Sequence, residues 1–115
     1  MKEGDRMKDI YERNAAVMSA LSTPIRLQIL DLLSCGELCA SAIQEYFSIS
    51  QPTLSYHMKI LSSSGIVSMR SEGKYVFYSL ESERLKVFFK EVEMMVTEKK
   101  DCACHKALMA VCREA

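Results

Sequence analysis

Residues 50–80, SQPTLSYHMKILSSSGIVSMRSEGKYVFYSL, decide the fold of this chain. Ser50 is a good N-cap, and Pro52 falls in the first turn of the helix that follows, where its missing N–H costs nothing. Apolar residues then recur at helical spacing, at Leu54, Met58 and Leu61. Because Gly65 is typical of a helix end, we predict one short helix with a single apolar face.

A β-hairpin is predicted directly after this helix. Ile66–Met69 and Tyr75–Leu80 are rich in apolar, β-branched and aromatic residues, and Glu72-Gly73 supplies the turn between them. Arg70 and Lys74 flank that turn. A helix followed by a hairpin with a basic tip predicts a winged helix-turn-helix, that is, a mainly α fold with a small β-hairpin.

The polar faces of the helix carry side chains that hydrogen-bond to base edges and phosphates. The candidate DNA-binding residues are Ser50, Gln51, Thr53, Ser55, Tyr56, His57 and Lys59, together with Arg70 and Lys74 of the hairpin. The whole chain has a net charge of zero, yet between Gln51 and Leu80 three basic side chains stand against one acid, Glu72. We predict that this segment binds double-stranded DNA, with His57 contacting DNA or capping a neighbouring helix.

Composition indicates one small domain spanning residues 1–115. The 115 residues include no linker-like stretch, and no apolar run approaches the roughly 20 residues that a spanning helix needs. The start, MKEGDRMKDI, has too many acids for a signal peptide. An odd number of cysteines, five, indicates reduced thiols in the cytoplasm. Because no apolar run is long enough to span a bilayer, we expect no membrane partner. We find no nucleophile–base set and no phosphate loop, so we expect no enzyme activity.

Four further helices are predicted, which makes five helices and a two-stranded wing. Three precede the recognition helix, and a long one begins at Glu81-Ser82. The outer helices, within residues 1–21 and 82–98, could simply cap the domain. We favour their packing in a twofold dimer, because a small monomer could not cover the apolar stripe of the last helix. This stripe contains Phe88, Phe89, Val92 and Val96.

Four segments resemble the ArsR/SmtB family of metal-responsive winged-helix repressors. They are LSTPIRLQILDLL, GELCASAI, SQPTLSYHMKILSSSGIV and GKYVFYSL, and they cover about residues 18–80. The resemblance implies a homodimer bound to an operator that overlaps the promoter of its own operon. It also implies release of that operator when an inducer binds.

Inducer sites differ among the branches of this family. The arsenic- and cadmium-sensing branch shows Glu-Leu-Cys-x-Cys at the start of the third helix, and residues 37–39 match it, whereas Ser41 replaces the second cysteine. The zinc branch uses Asp and His pairs along the last helix, which this chain lacks. The persulfide-sensing branch needs a cysteine in the second helix, where this chain has Asp31. Cys35 and Cys39 therefore remain secondary candidates that could equally fill the core.

The tail, residues 99–115, holds the stronger candidate site. Cys102, Cys104 and Cys112 lie among charged residues, where core filling explains little and lysines favour the thiolate. Cys112 lies about two helical turns beyond Cys104, so a bend near residues 103–105 would be needed to bring the three sulfurs together. Three thiolates suit As(III) or Sb(III) as inducer, and adding His105 suits Zn(II) or Cd(II), with Pb(II) a further soft-metal candidate.

Two other functions stay open from the sequence. The cysteines could form a thiol-redox or persulfide switch in a protein that still binds DNA. Alternatively, the winged helix could bind only protein, although the basic residues and the polar helix face count against this. We expect a DNA-binding transcriptional repressor that is released when a soft metal or metalloid binds its cysteine thiolates.

Overall fold

A computed structural model of the chain describes residues 3–100 and 102–114, with side chains for residues 8–100 and 102–113. Met1, Lys2, Asp101 and Ala115, which belong to the predicted dimerisation and tail segments, lie outside the described residues. The elements are α1 (Glu3–Ala20), α2 (Pro24–Leu33), β1 (Leu38–Cys39), α3 (Ala40–Phe47), α4 (Gln51–Ser63), β2 (Val67–Glu72), β3 (Tyr75–Leu80), α5 (Ser82–Val96) and α6 (Ala103–Glu114).

The helix-turn-helix is formed by α3 and α4. Ser48, with φ of 54°, ends α3 in the left-handed conformation and turns the chain toward α4. The Ser50 hydroxyl then accepts the backbone N–H of Thr53 at 3.3 Å, as the cap prediction requires. Thr23 caps α2 in the same way, accepting from the backbone N–H of Arg26. Local side-chain chemistry thus sets both helix starts.

The wing is the β2–β3 hairpin, and its register runs from Val67 opposite Leu80 to Glu72 opposite Tyr75. Gly73 adopts φ of +60° in the two-residue turn, a conformation that favours glycine. The wing was predicted to have two strands, but β1 adds a third, in the order β1-β3-β2, with Leu38 opposite Tyr78. This strand contains only two residues, which is too short to leave a period-two pattern in the sequence.

The core lies between α4, α2, α3 and the base of the wing. Its fully buried side chains are Ile29, Ile43, Met58, Leu61 and Ile66. The predicted apolar face of α4 is confirmed, since Leu54, Met58 and Leu61 are all buried. Burial of this face holds α4 against the body and leaves its polar side outward.

Two sequence predictions about the outer helices need correction. Residues 3–100 and 102–114 form six helices where five were expected, because the tail forms the continuous helix α6 from Ala103 onward. Phe88 was assigned to an exposed dimer stripe, but it is only 6% exposed and belongs to the monomer core, whereas Phe89 is 59% exposed. Helical spacing defines a face but does not show where along that face the body of the domain ends.

Among the described residues, no single helix is long and apolar enough to cross a membrane. A bent pair, Lys8–Ala20 with Pro24–Leu33 at 94°, reaches the required length and composition only when the two helices are counted together.

Candidate nucleic-acid interface and thiol site

The outer face of α4 presents the predicted base-reading side chains to solvent. The exposed polar residues of this surface are Ser50, Gln51, Thr53, Ser55, Tyr56 and Lys59. Two local hydrogen bonds organise them: the Gln51 amide donates to the Ser55 hydroxyl at 2.9 Å, and Ser50 donates to Thr53 Oγ1 at 2.8 Å. The first turns of α4 therefore carry exposed hydrogen-bond donors and acceptors, and the first turn contains no acidic side chain.

His57 faces inward from the same helix. Its ring is half-buried, and Nδ1 lies 3.1 Å from an Arg26 guanidinium nitrogen on α2. A guanidinium can only donate, so Nδ1 accepts and the imidazole is neutral, with its proton on Nε2. Burial first, and the Arg26 charge second, lower the pKa of His57 below its usual value.

Arg26 is a positioning residue of the site that the sequence did not reveal. It is 6% exposed, its Nε donates to the carbonyl of Ala20 at 2.6 Å, and another guanidinium nitrogen lies 3.5 Å from the carbonyl of Ser19. One side chain therefore caps the C-terminal end of α1 and contacts the recognition helix through His57. The only available signal was a charged residue within the apolar run of α2, PIRLQILDLL.

The wing places Arg70 and Lys74 at its exposed tip, but their surroundings differ. Arg70 donates to both oxygens of Glu37, at 2.9 and 2.6 Å, to Glu72 at 2.7 Å, and stacks over the Phe77 ring at 4.4 Å. The hydrogen bond to Glu37 is the main cause of a raised pKa at Arg70, and the same bond lowers the pKa of the Glu37 carboxyl. Within the described part of the chain, Lys74 makes a long contact to the Tyr75 ring, at 5.9 Å.

Two of the tail cysteines are neighbours in space. Cys102 immediately precedes α6, and its Sγ lies 2.8 Å from that of Cys104. This hydrogen bond, followed by the backbone N–H of His105, lowers the pKa of the Cys102 thiol, whereas Cys104 as partner has its pKa raised. A thiolate held at a helix N-terminus is a good ligand for soft ions.

The remaining cysteines lie elsewhere. Cys112 is exposed near the far end of α6, about 12 Å along the helix axis from Cys104. Cys39 ends β1 and precedes α3, and Cys35 lies exposed before Gly36. Within the described ranges of one chain, no three His, Cys, Asp or Glu side chains are arranged to hold a metal ion. The structure therefore brings together the Cys102–Cys104 pair but not the three-thiol set in one chain.

Comparisons with known proteins give the same class. The family model described as "Bacterial regulatory protein, arsR family" matches residues 23–69. An arsenical resistance operon repressor from Staphylococcus xylosus is 41% identical over 102 residues, which cover 89% of this chain and 98% of that protein. A cadmium resistance transcriptional regulatory protein CadC homolog from Staphylococcus aureus is 39% identical over 69% of each chain.

A solved structure agrees. The homodimeric winged helix-turn-helix DNA-binding domain of a possible ArsR-family regulator from Mycobacterium bovis has a TM-score of 0.68 and 34% identity, covering 79% of this chain and 84% of that one. The capped recognition helix and the wing define a winged helix-turn-helix regulator of transcription. The chain belongs to the arsR family and is a transcriptional repressor of the ArsR type, as the sequence resemblance predicted. Relatives of this kind are regulators, a non-enzyme class.

Proposed function

We propose that this chain is a homodimeric, cytoplasmic repressor that leaves its operator when As(III) or Sb(III) binds the tail thiolates. The contact between Cys102 and Cys104 at the start of α6 is the observation that carries the proposal, because it offers two sulfurs to one ion. The arsenical resistance name of the Staphylococcus xylosus relative supports this inducer class. The cadmium resistance relative makes Cd(II), and with it Zn(II) or Pb(II), the next ions to test.

The DNA contact follows from the exposed faces of α4 and the wing. The exposed hydroxyls and amide at the start of α4, with Tyr56, read base edges in the major groove, and Lys59, Lys74 and Arg70 hold phosphates. His57 lies on the inward side of α4 and supports DNA binding indirectly, because its contact with Arg26 holds α4 in position.

Dimerisation uses the outward apolar side chains of α1 and α5. Exposed apolar residues on these helices include Tyr11, Met18, Phe89 and Met94. Joining two copies through them would bury these side chains and present two recognition helices to two half-sites. The homodimeric Mycobacterium bovis neighbour supports this arrangement.

Release is a linkage effect. An ion that binds the DNA-free dimer more tightly must weaken operator binding by the same factor. Because α6 follows α5 after only six residues, 97–102, ligation at Cys102 and Cys104 can change the geometry of the dimer helices and the spacing of the two recognition helices.

A gel shift on the promoter of its own gene, with increasing arsenite, tests the proposal. We expect the wild type to bind and then be released. The double variant Cys102→Ser/Cys104→Ser should bind DNA equally well but stay bound, and the matched control Cys35→Ser/Cys39→Ser should still be released. The reverse pattern would assign the sensor to the α3 segment. Release by peroxide but not by arsenite would contradict metalloid sensing.

A further inference from the structure

Among the described residues, no element of the same chain covers helix α6. Every described side chain from Ala103 to Arg113 is exposed, including Leu108 and Val111 at 63% and 61%. A helix of 12 residues is marginal in water unless its apolar face packs against something. Cys104, Leu108 and Val111 recur at i, i+4 and i+7 on one face, with Cys112 beside them. This spacing is that of a short helix-pairing seam.

The thiol count of the tail is also incomplete in one chain. Cys102 and Cys104 supply two adjacent sulfurs, whereas Cys112 is held about two turns away by the continuous helix. Trivalent arsenic forms a pyramidal centre with three thiolates. The third sulfur is missing from the same helix that has the uncovered apolar face. One partner could therefore supply the third thiolate and also cover this face.

We propose that α6 pairs antiparallel with α6 of a second copy, centred on Leu108, so that the partner's Cys112 lies beside Cys102 and Cys104. Residues four positions on either side of the centre oppose each other in such a pair, which places Cys104 opposite the partner's Cys112. Twofold symmetry then creates two three-thiol sites per dimer. This inference rests on the proposed function, for which it names the third ligand.

Charge favours the antiparallel direction over the parallel one. Antiparallel pairing brings the partner's Arg113 toward the thiolate end of α6 and aligns the two helix dipoles favourably. Parallel pairing would place Arg113 beside the partner's Arg113. It would also leave the partner's Cys112 far from the Cys102–Cys104 pair. The helix also follows α5 after six residues, so the pairing would extend the dimer interface that we propose for α1 and α5.

Binding involves ligand exchange without a change of oxidation state. Arsenous acid, As(OH)₃, reacts with the three thiols to form three As–S bonds and releases three water molecules. Each thiol proton leaves in one of those waters, and arsenic stays trivalent. No oxidant or reductant is needed.

Complementation between two full-length variants tests the shared site. Cys112→Ser retains the Cys102–Cys104 pair, and Cys102→Ser/Cys104→Ser retains Cys112 alone among the three tail thiols; Cys35 and Cys39 are present in both. In an antiparallel dimer, each homodimer lacks every three-thiol site, whereas the mixed dimer has one. Native mass spectrometry with arsenite should therefore show two arsenic atoms on the wild-type dimer and one on the mixed dimer. Each variant homodimer should bind at least tenfold more weakly than wild type.

The outcomes separate this inference from the proposed function. No arsenic on the wild type would overturn both. Two arsenic atoms on the wild type but none on the mixed dimer would overturn the shared site alone, because a site within one chain gives that result. Undiminished binding by the Cys112→Ser homodimer would also overturn it, because Cys102 and Cys104 would then suffice without the partner's Cys112.

A cross-linking experiment checks the register independently of arsenic. We expect a chain whose only cysteine is Cys104 to form a disulfide under mild oxidation with a chain whose only cysteine is Cys112. The matched control replaces Cys112 by serine and introduces Ala110→Cys, on the opposite side of the exposed helix. Cross-linking should be at least tenfold less in the control. Equal cross-linking of the two pairs would overturn the proposed register.

Discussion

At the scale of single residues, the two basic groups of the wing differ in how strongly they interact with other side chains of the same chain. Arg70 is bound by Glu37 and Glu72, whereas Lys74, as far as the described residues go, makes a long contact to an aromatic ring and no ion pair. We expect Lys74→Ala to weaken binding to all sequences alike and to reduce the slope of log affinity against log salt by about one unit. Arg70→Ala should reduce it less, since two carboxylates already neutralise that guanidinium.

Glu37→Gln should then raise DNA affinity and steepen the salt dependence, because it removes one of the two carboxylates that hold Arg70. Fluorescence anisotropy at several salt concentrations measures both quantities. Glu45→Gln is the matched control, an exposed acid on α3 with the same change of charge. Identical behaviour of the two glutamine variants would show that Glu37 does not restrain Arg70 in binding.

We expect substitutions of the proposed base-reading residues to affect DNA binding differently from substitutions of the proposed phosphate contacts. Gln51→Ala removes a side chain that can make two hydrogen bonds to one base edge, so we expect a loss of about 1–3 kcal/mol on the preferred operator. The loss should be confined to one base position, with little change on unrelated DNA. A library of single-base operator variants, measured with both proteins, detects it. A uniform loss across all sequences would reassign Gln51 to the backbone.

At the scale of elements, the Arg26–His57 contact joins the end of α1 to the recognition helix. Because the folded-state pKa of His57 lies below 6.5, the unfolded chain binds more protons between that lowered pKa and 6.5. Stability should therefore rise with pH across this window and be lost as pH falls through it. Urea unfolding at pH values from about 5 to 7.5 measures the effect. His57→Gln keeps an acceptor for Arg26 but cannot titrate, so most of this dependence should disappear.

Substitutions at the two adjacent phenylalanines of α5 should affect different properties, the stability of the monomer and the assembly of the dimer. Phe88 is in the core, so Phe88→Ala should cost about 3–5 kcal/mol of unfolding free energy. Phe89 is exposed, so Phe89→Glu should leave the secondary structure intact while it abolishes the dimer. Light scattering at low micromolar concentration, with circular dichroism as the folding control, distinguishes them. A dimeric Phe89→Glu protein would place the interface elsewhere.

At the scale of the whole molecule, the DNA-reading surface and the tail are separate parts of one chain. The proposed base readers lie on α4, the proposed phosphate contacts at the tip of the wing, and the paired thiols beyond α5. In the dimer that we propose, the coupling between them passes through α1 and α5, because the described side chains of α6, residues 103–113, are all exposed. This separation explains why tail substitutions are expected to change release without changing operator affinity.

The sequence by itself determined the winged helix-turn-helix, because its signals are local. Ser50 and Thr23 cap their own helices, and the apolar spacing of α4 reports its buried face whatever lies opposite. The Cys-x-Cys pair at 102 and 104 could also be predicted from the sequence, because residues two positions apart lie close together in any fold. The ArsR-type resemblance rests on the same contiguous stretches.

Only the tertiary structure decided which of these residues already have partners. Arg26 and His57 are 31 positions apart, and Glu37 and Arg70 are 33 apart, so no local pattern could pair them. The same holds for Phe88 and Phe89, whose different burial depends on where the body of the domain ends. The continuous α6 likewise separated Cys112 from the other tail thiols. Helix periodicity specifies faces, but contacts between distant segments depend on how those faces pack in three dimensions.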